Sequence, residues 1–114
     1  MIEDVIQEMF SDLGMPVIFI HKPDGYVLDD YLTYNFTIDE YFHSNNQSEG
    51  NRYFITFNYL TKNNKNVLPN SRAIEDILKK HNLFLGVKHR GTSYIKDTKE
   101  FFTVITAYYY EIKE

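Results

Sequence analysis

The sequence predicts an α+β domain: a mainly antiparallel sheet of about four to five strands with two helices packed on one face. Three observations predict it. Apolar residues recur at helical spacing in two stretches. Runs of β-branched and aromatic residues, alternating or continuous, fill most of the remainder. These runs follow one another in the order α-β-β-β-α-β-β, without the regular strand–helix alternation of a parallel fold. No repeat, low-complexity tract or linker divides the chain, so residues 1–114 read as a single domain.

The first helix covers residues 2–13. Ile2, Val5, Ile6, Met9, Phe10 and Leu13 follow the i, i+3, i+4, i+7 spacing of one face, and Glu3, Asp4, Glu8 and Asp12 lie away from it. Gly14 suits a left-handed C-cap, and Pro16 forbids continuation. Pro16 to Ile20 is a short continuous apolar run and reads as a buried strand. His21-Lys22-Pro23-Asp24-Gly25 is a turn: proline presets φ and glycine accepts φ > 0. Tyr31 to Ile38 then alternates, with Leu32, Tyr34, Phe36 and Ile38 on one face. His43 to Asn51 is polar and reads as a mobile loop. Arg52 to Thr61 is the next strand, with Tyr53, Ile55, Phe57 and Tyr59 sharing a face.

Lys62 to Asn66 reads as another polar loop. The second helix starts near Pro69, with Asn70 or Ser71 as N-cap and Ile74, Ile77 and Leu78 as its apolar stripe. Asn82 is placed to end it in the left-handed region. Leu83 to His89 returns as a strand that Gly91 breaks. The last quarter, Tyr94 to Ile112, is a short β arm, a turn over Asp97 to Glu100, and a long aromatic and β-branched run. Apolar groups on both faces of that run predict a central strand covered on both sides.

Composition excludes several functions. The net charge of −4 argues against a nucleic-acid groove and against binding to an anionic membrane surface. The absence of cysteine excludes disulfides, thiol nucleophiles and thiolate metal sites. No stretch is apolar for long enough to span a membrane as a helix, and the acidic N-terminus lacks the basic segment of a signal peptide. Two N-x-S/T matches, at Asn35 and Asn46, read as chance. Ten tyrosines and nine phenylalanines are many for this length. They serve as strand filler or as interface residues with an apolar ring and a polar tip.

No catalytic constellation emerges. His21, His43, His81 and His89 form no metal-ligand spacing, although His21 and His89 are strand-end residues that could meet in space. Asp29 and Asp30 could bind a cation or serve as catalytic carboxylates, or form a solvated acidic loop. Lys88, His89 and Arg90 are a small basic cluster, too small to make a nucleic-acid site in an acidic chain. The scattered glycines make no phosphate loop. The expectation is a protein that is not an enzyme and takes no cofactor or metal.

Several landmarks together resemble the tail terminator and tail-to-head joining proteins of long-tailed bacteriophages and prophages. They are the first helix leading to Met15-Pro16-Val17-Ile18-Phe19-Ile20, the strand Tyr31-Leu32-Thr33-Tyr34-Asn35, and the unit Tyr53 to Tyr59 followed by the helix Ala73 to Leu78. The closing stretch Ser93-Tyr94-Ile95-Lys96-Asp97-Thr98-Lys99-Glu100-Phe101-Phe102 completes them. The resemblance spans nearly the whole chain as a pattern of elements. It implies a structural virion protein at the tail–head interface, assembled in the host bacterial cytoplasm. Such a protein forms a homo-hexameric ring, from copies that can be monomers in solution. The ring ends growth of the tail tube and joins it to the head connector, with DNA only passing through. Its partners are then other copies of itself, the major tail tube protein and the head-completion or connector protein. The loops carrying Asp24, Tyr26, Asp29, Asp30, His43, Asn45, Asn46, Glu49, Lys62 and Lys65 are the expected assembly contacts. The acidic surface of Glu3, Asp4, Glu8 and Asp12 is expected to face the channel. The alternative is a small non-enzymatic binding module or regulator from a mobile element.

Overall fold

The computed structural model describes residues 2–20, 22, 28–44 and 47–112, and the side chains of these except 39–49 and 112. The elements are helix α1 (Ile2–Met9), a 3-10 turn (Ser11–Leu13), β1 (Val17–Phe19), β2 (Asp30–Ser44), β3 (Gln47–Thr61), helix α2 (Asn64–Lys80), β4 (Phe84–Ile95) and β5 (Glu100–Ile112). This is the predicted α+β architecture in the predicted order. The strands form one sheet ordered β1-β2-β3-β5-β4. Every neighbouring pair is antiparallel except β1 and β2, which run parallel.

Alternation decides which face carries the core. Leu32 and Tyr34 of β2, Tyr53, Ile55, Phe57 and Tyr59 of β3, and Ile105, Ala107 and Tyr109 of β5 are buried on one side of the sheet. Onto that side pack Ile2 and Ile6 from α1, Phe10 just after it, and Ile74 and Leu78 from α2. Phe10 meets Phe57 edge-on at 5.6 Å between centroids. Fully burying side chains of this size stabilises the fold by about 1.5–3 kcal/mol each. The helix predicted over 2–13 is α-helical only to Met9; a 3-10 turn carries the chain on to Gly14, which takes the expected left-handed φ of 78°.

Seven expectations need correction. The middle strand of the sheet is β3; β5 is interior but lies between β3 and β4. Among the described residues, no helix or second sheet covers its other face. Phe102, Val104, Tyr108 and Tyr110 sit half-buried there, screened by neighbouring strand side chains. The apolar run before residue 21 is an outer strand, not a buried one: Phe19 is 43% and Ile20 56% exposed. The polar run His43 to Asn51 is mostly strand, because the antiparallel ladder between β2 and β3 continues to the pair Ser44–Gln47. Gly91 does not break β4. It takes φ 143° at an irregularity between His89 and Gly91, and pairing resumes at once opposite Val104. Finally, α2 begins at Asn64 rather than at residue 70. Asn63 is its N-cap, and its side chain accepts from the Lys65 N–H. Pro69 therefore sits inside the helix. At the other end the cap is His81 in extended conformation, not a left-handed Asn82.

Candidate functional site

Three surface features follow from this sheet: a hairpin arm, a helix-free face, and two outer strands.

The arm is the far half of the β2–β3 hairpin. Its strands have 15 residues each, about 50 Å of extended chain. β1 pairs with β2 only over Leu32–Tyr34, and β5 ends opposite Gly50 of β3. Among the described residues, β2 has no strand on its outer side from Asn35 onward, and Gln47–Glu49 of β3 pair with β2 alone. Irregularities between Glu40 and His43 bend the ribbon.

The helix-free face carries Tyr31, Thr33, Phe54, Asn58, Leu60, Phe102 and Tyr108. At one end lies a cavity of about 270 Å3 whose walls include Ile20, Lys22, Tyr31, Leu60, Ile95 and Phe102. The Lys22 ammonium lies over the Tyr31 ring at 5.5 Å. Burial pushes the Tyr31 hydroxyl up to about 12, and the neighbouring Glu100 carboxylate adds to the effect. Glu100 is itself buried, and its Oε2 has no hydrogen-bond partner among the described residues. At the other end Arg52 lies over Tyr108 at 5.2 Å, and Phe54 packs on the same ring. Arg90 Nε donates to Thr106 Oγ1 at 2.9 Å.

The structure divides the residues predicted from sequence. Asp24, Tyr26, Asn45, Asn46 and His21 lie outside the described residues. His43 and Glu49 are on the arm strands. Asp30 opens β2, and its carboxylate is already bound: Tyr59 Oη donates to it at 2.8 Å, and Asn66 Nδ2 approaches both oxygens at 3.4 Å. Asp29 is exposed, and its carbonyl accepts from the Lys62 N–H. Lys62 and Lys65 extend into solvent at the start of α2. These residues do not converge on one pocket. Among the described residues, no three His, Asp or Glu side chains are placed to hold a metal ion.

The four acidic residues of the first helix do not share one surface. Gln7 Nε2 donates to the Val17 carbonyl at 2.8 Å, so its flank of α1 faces β1. Glu3 shares that flank, and its charge adds to burial in raising the Tyr34 hydroxyl, with a smaller contribution from Asp4, which is exposed one turn before Glu8. Glu8 is on the opposite flank. With Val5, Met9 and His81 it lines a cavity of about 360 Å3 between α1 and the end of α2.

Sequence reasoning missed the outer strands as a surface. Phe19, Ile20, Leu83, Leu85 and Tyr94 are exposed, and all lie on or beside β1 and β4. Alternation within a strand cannot reveal that the strand is at an edge. No family model matches the chain, and no curated protein matches it.

Proposed function

We propose that this chain is a structural assembly protein of a long-tailed phage or prophage. It forms a ring that terminates the tail tube and joins the tail to the head connector. The observation that carries this reading is the β2–β3 arm. A two-stranded ribbon beyond the body of the sheet is marginal alone and gains stability when a partner covers it. Its outer edge from Asn35 offers a row of backbone groups for strand addition by a neighbouring subunit or a tail protein. The element pattern described above, closing on Tyr94, Ile95, Asp97 and Thr98, supports the same reading. The function is one of shape and contact, with no chemical step. The arm engages the tail tube or the connector, and the helix-backed sheet forms the ring wall.

The test is tube growth. Added to polymerising tail tube protein, the purified chain stops elongation and leaves a ring at one tube end in negative-stain images. A variant with residues 39–49 replaced by an Asn-Gly turn keeps its fold by circular dichroism and loses capping. Tubes that grow unchanged beside the intact chain would refute the reading. A stable dimer with no affinity for tubes would favour the regulator.

A further inference from the structure

The register sorts the charges of this chain between the two faces of the sheet. Both helices pack on one face, so Glu3, Asp4 and Glu8 of α1 and Glu75 and Asp76 of α2 stand on that side. Asp30 and Glu111 face the same way, since each is bonded to a core tyrosine, Tyr59 and Tyr53 respectively. Alternation turns another set outward. Lys88 pairs with Thr106, in a row that continues to Thr56 and Asn35, and Arg90 Nε donates to the same Thr106. Lys88 and Arg90 therefore project from the helix-free face, and both are exposed. Lys22, over Tyr31, adds a cation at the far end. Among the described side chains of the strands, Glu100 is the one carboxylate on this face, and it is buried. Asp29 and Asp97 lie outside the strands. Asp39 is opposite Arg52 in the ladder, which leaves Lys88, Arg90 and Lys22 as the cations for an anionic ligand.

Beside these cations stands an aromatic platform. Phe54 and Tyr108 pair across β3 and β5 with ring centroids 5.1 Å apart, and Tyr110 follows Tyr108 at 6.5 Å. All three are half-buried, and among the described residues no helix or second sheet lies above them. The Arg52 guanidinium over Tyr108 at 5.2 Å is a further flat surface on which a base can stack. The Phe54–Tyr108 row and the Thr56–Thr106 row are neighbours on this face, about 7 Å apart along the strands. A base stacked on the first row has its own backbone within reach of Lys88 and Arg90. Thr56 and Asn58, further along β3 on the same face, offer a hydroxyl and an amide to base edges.

We propose that the helix-free face binds single-stranded nucleic acid, with bases stacked on Phe54, Tyr108 and Tyr110 and phosphates held by Lys88 and Arg90. The inference does not rest on the tail reading. The net charge of −4 counts against such a site when charges are spread evenly, and here they are sorted by face. In the sequence Lys88, His89 and Arg90 form a cluster too small for nucleic acid. The sheet splits that cluster, turning His89 to the core side opposite Ile105, and sets the aromatic rings one row from the two cations that remain. A bare sheet face with aromatic rings, backed by helices, is a surface on which unpaired bases stack. A duplex keeps its bases paired and needs more cations than this face has. For a single strand, stacking supplies a large share of the affinity, so few phosphate contacts suffice. An acidic protein surface would meet the same cations. The rings beside them favour a ligand that brings flat bases together with its anions.

Binding is measured by fluorescence anisotropy with a labelled oligothymidylate of about ten nucleotides, and folding by circular dichroism. At low salt the dissociation constant should be about 100 µM or tighter. Its logarithm should rise with the logarithm of salt concentration with a slope of about 1.4, the value for a single strand held at two phosphates. Lys88→Gln with Arg90→Gln should weaken binding about tenfold and flatten that slope. Tyr108→Leu should also weaken binding about tenfold but leave the slope unchanged, because it removes stacking and no charge. Tyr110→Leu serves the same purpose if Tyr108→Leu alters the fold. An oligoglutamate peptide of equal charge should bind about tenfold more weakly than the oligonucleotide, since it brings anions without bases. No binding at low salt, binding indifferent to the glutamine pair or to the leucine variants, or oligoglutamate bound as tightly as oligothymidylate would each overturn the inference. The last outcome would mark the face as a surface for an acidic protein.

Discussion

At Tyr59 one hydroxyl ties three elements together. It donates to Asp30 Oδ1 at the start of β2 and accepts from Asn70 Nδ2 of α2 at 2.7 Å. Burial pushes it up to about 12, with the Asp30 carboxylate adding to the rise. Tyr59→Phe leaves the Asp30 and Asn70 groups short of a partner and should lower stability by about 1–2 kcal/mol in urea titrations. The pH dependence has a definite sign. Folded Tyr31 and Tyr59 keep their protons to about 12, while the unfolded chain releases them near the ordinary value of about 10. Their stabilising contribution is complete below the unfolded value and is lost as pH rises through the folded one. The urea midpoint should therefore fall between about pH 10 and 12, and less steeply in Tyr59→Phe. Tyr59 was legible as a buried strand residue from alternation. Asp30 looked like part of a solvated acidic loop, because its partner lies 29 residues away.

Elements went astray where a local signal met a tertiary one. Pro69 read as the start of α2, since proline deep in a helix lacks an N–H and crowds the preceding turn. The helix nevertheless begins five residues earlier. Asn63 caps it, and Asn66 and Asn70 anchor that first stretch to Asp30 and Tyr59. Asn63→Ala should cost about 1 kcal/mol in thermal or chemical unfolding. In β4 the irregularity between Leu85 and Lys88 holds Gly86 at φ 63°, where an added Cβ would lie 3.2 Å from Tyr108 Cδ2. Gly86→Ala should therefore cost about 1–3 kcal/mol. A cost near zero would show that this bend is free to relax. The arm was missed for a related reason. HSNNQSEGN has no apolar anchor, and strand pairing there comes from a register already set by Leu32, Tyr34 and Phe36 against Tyr59, Phe57 and Ile55.

For the whole molecule, the proposed ring gives the acidic residues of α1 a duty that can be tested. On the proposed ring reading, Glu8, with Asp4 one turn before it, would be a carboxylate of the channel through which DNA slides. Glu8→Lys should leave assembly intact and slow DNA ejection from reconstituted particles, since a cation there attracts phosphate. Ejection at the wild-type rate would remove the channel role from Glu8. That the helix acids lie on different sides was beyond the periodicity of α1. A helical face is defined only against the sheet it packs on, and here Gln7 and His81 mark the two sides.

The amino-acid pattern alone sufficed for the α+β class, the order of elements, the core face of β2 and β3, and the stop at Gly14. Each of these depends on periodicity or on a single residue's backbone freedom. The place of each strand in the sheet, the reach of the arm and the cap at Asn63 needed the folded chain. They depend on which segments pair across 29 to 60 residues of sequence, and side-chain alternation is the same on an inner strand as on an outer one.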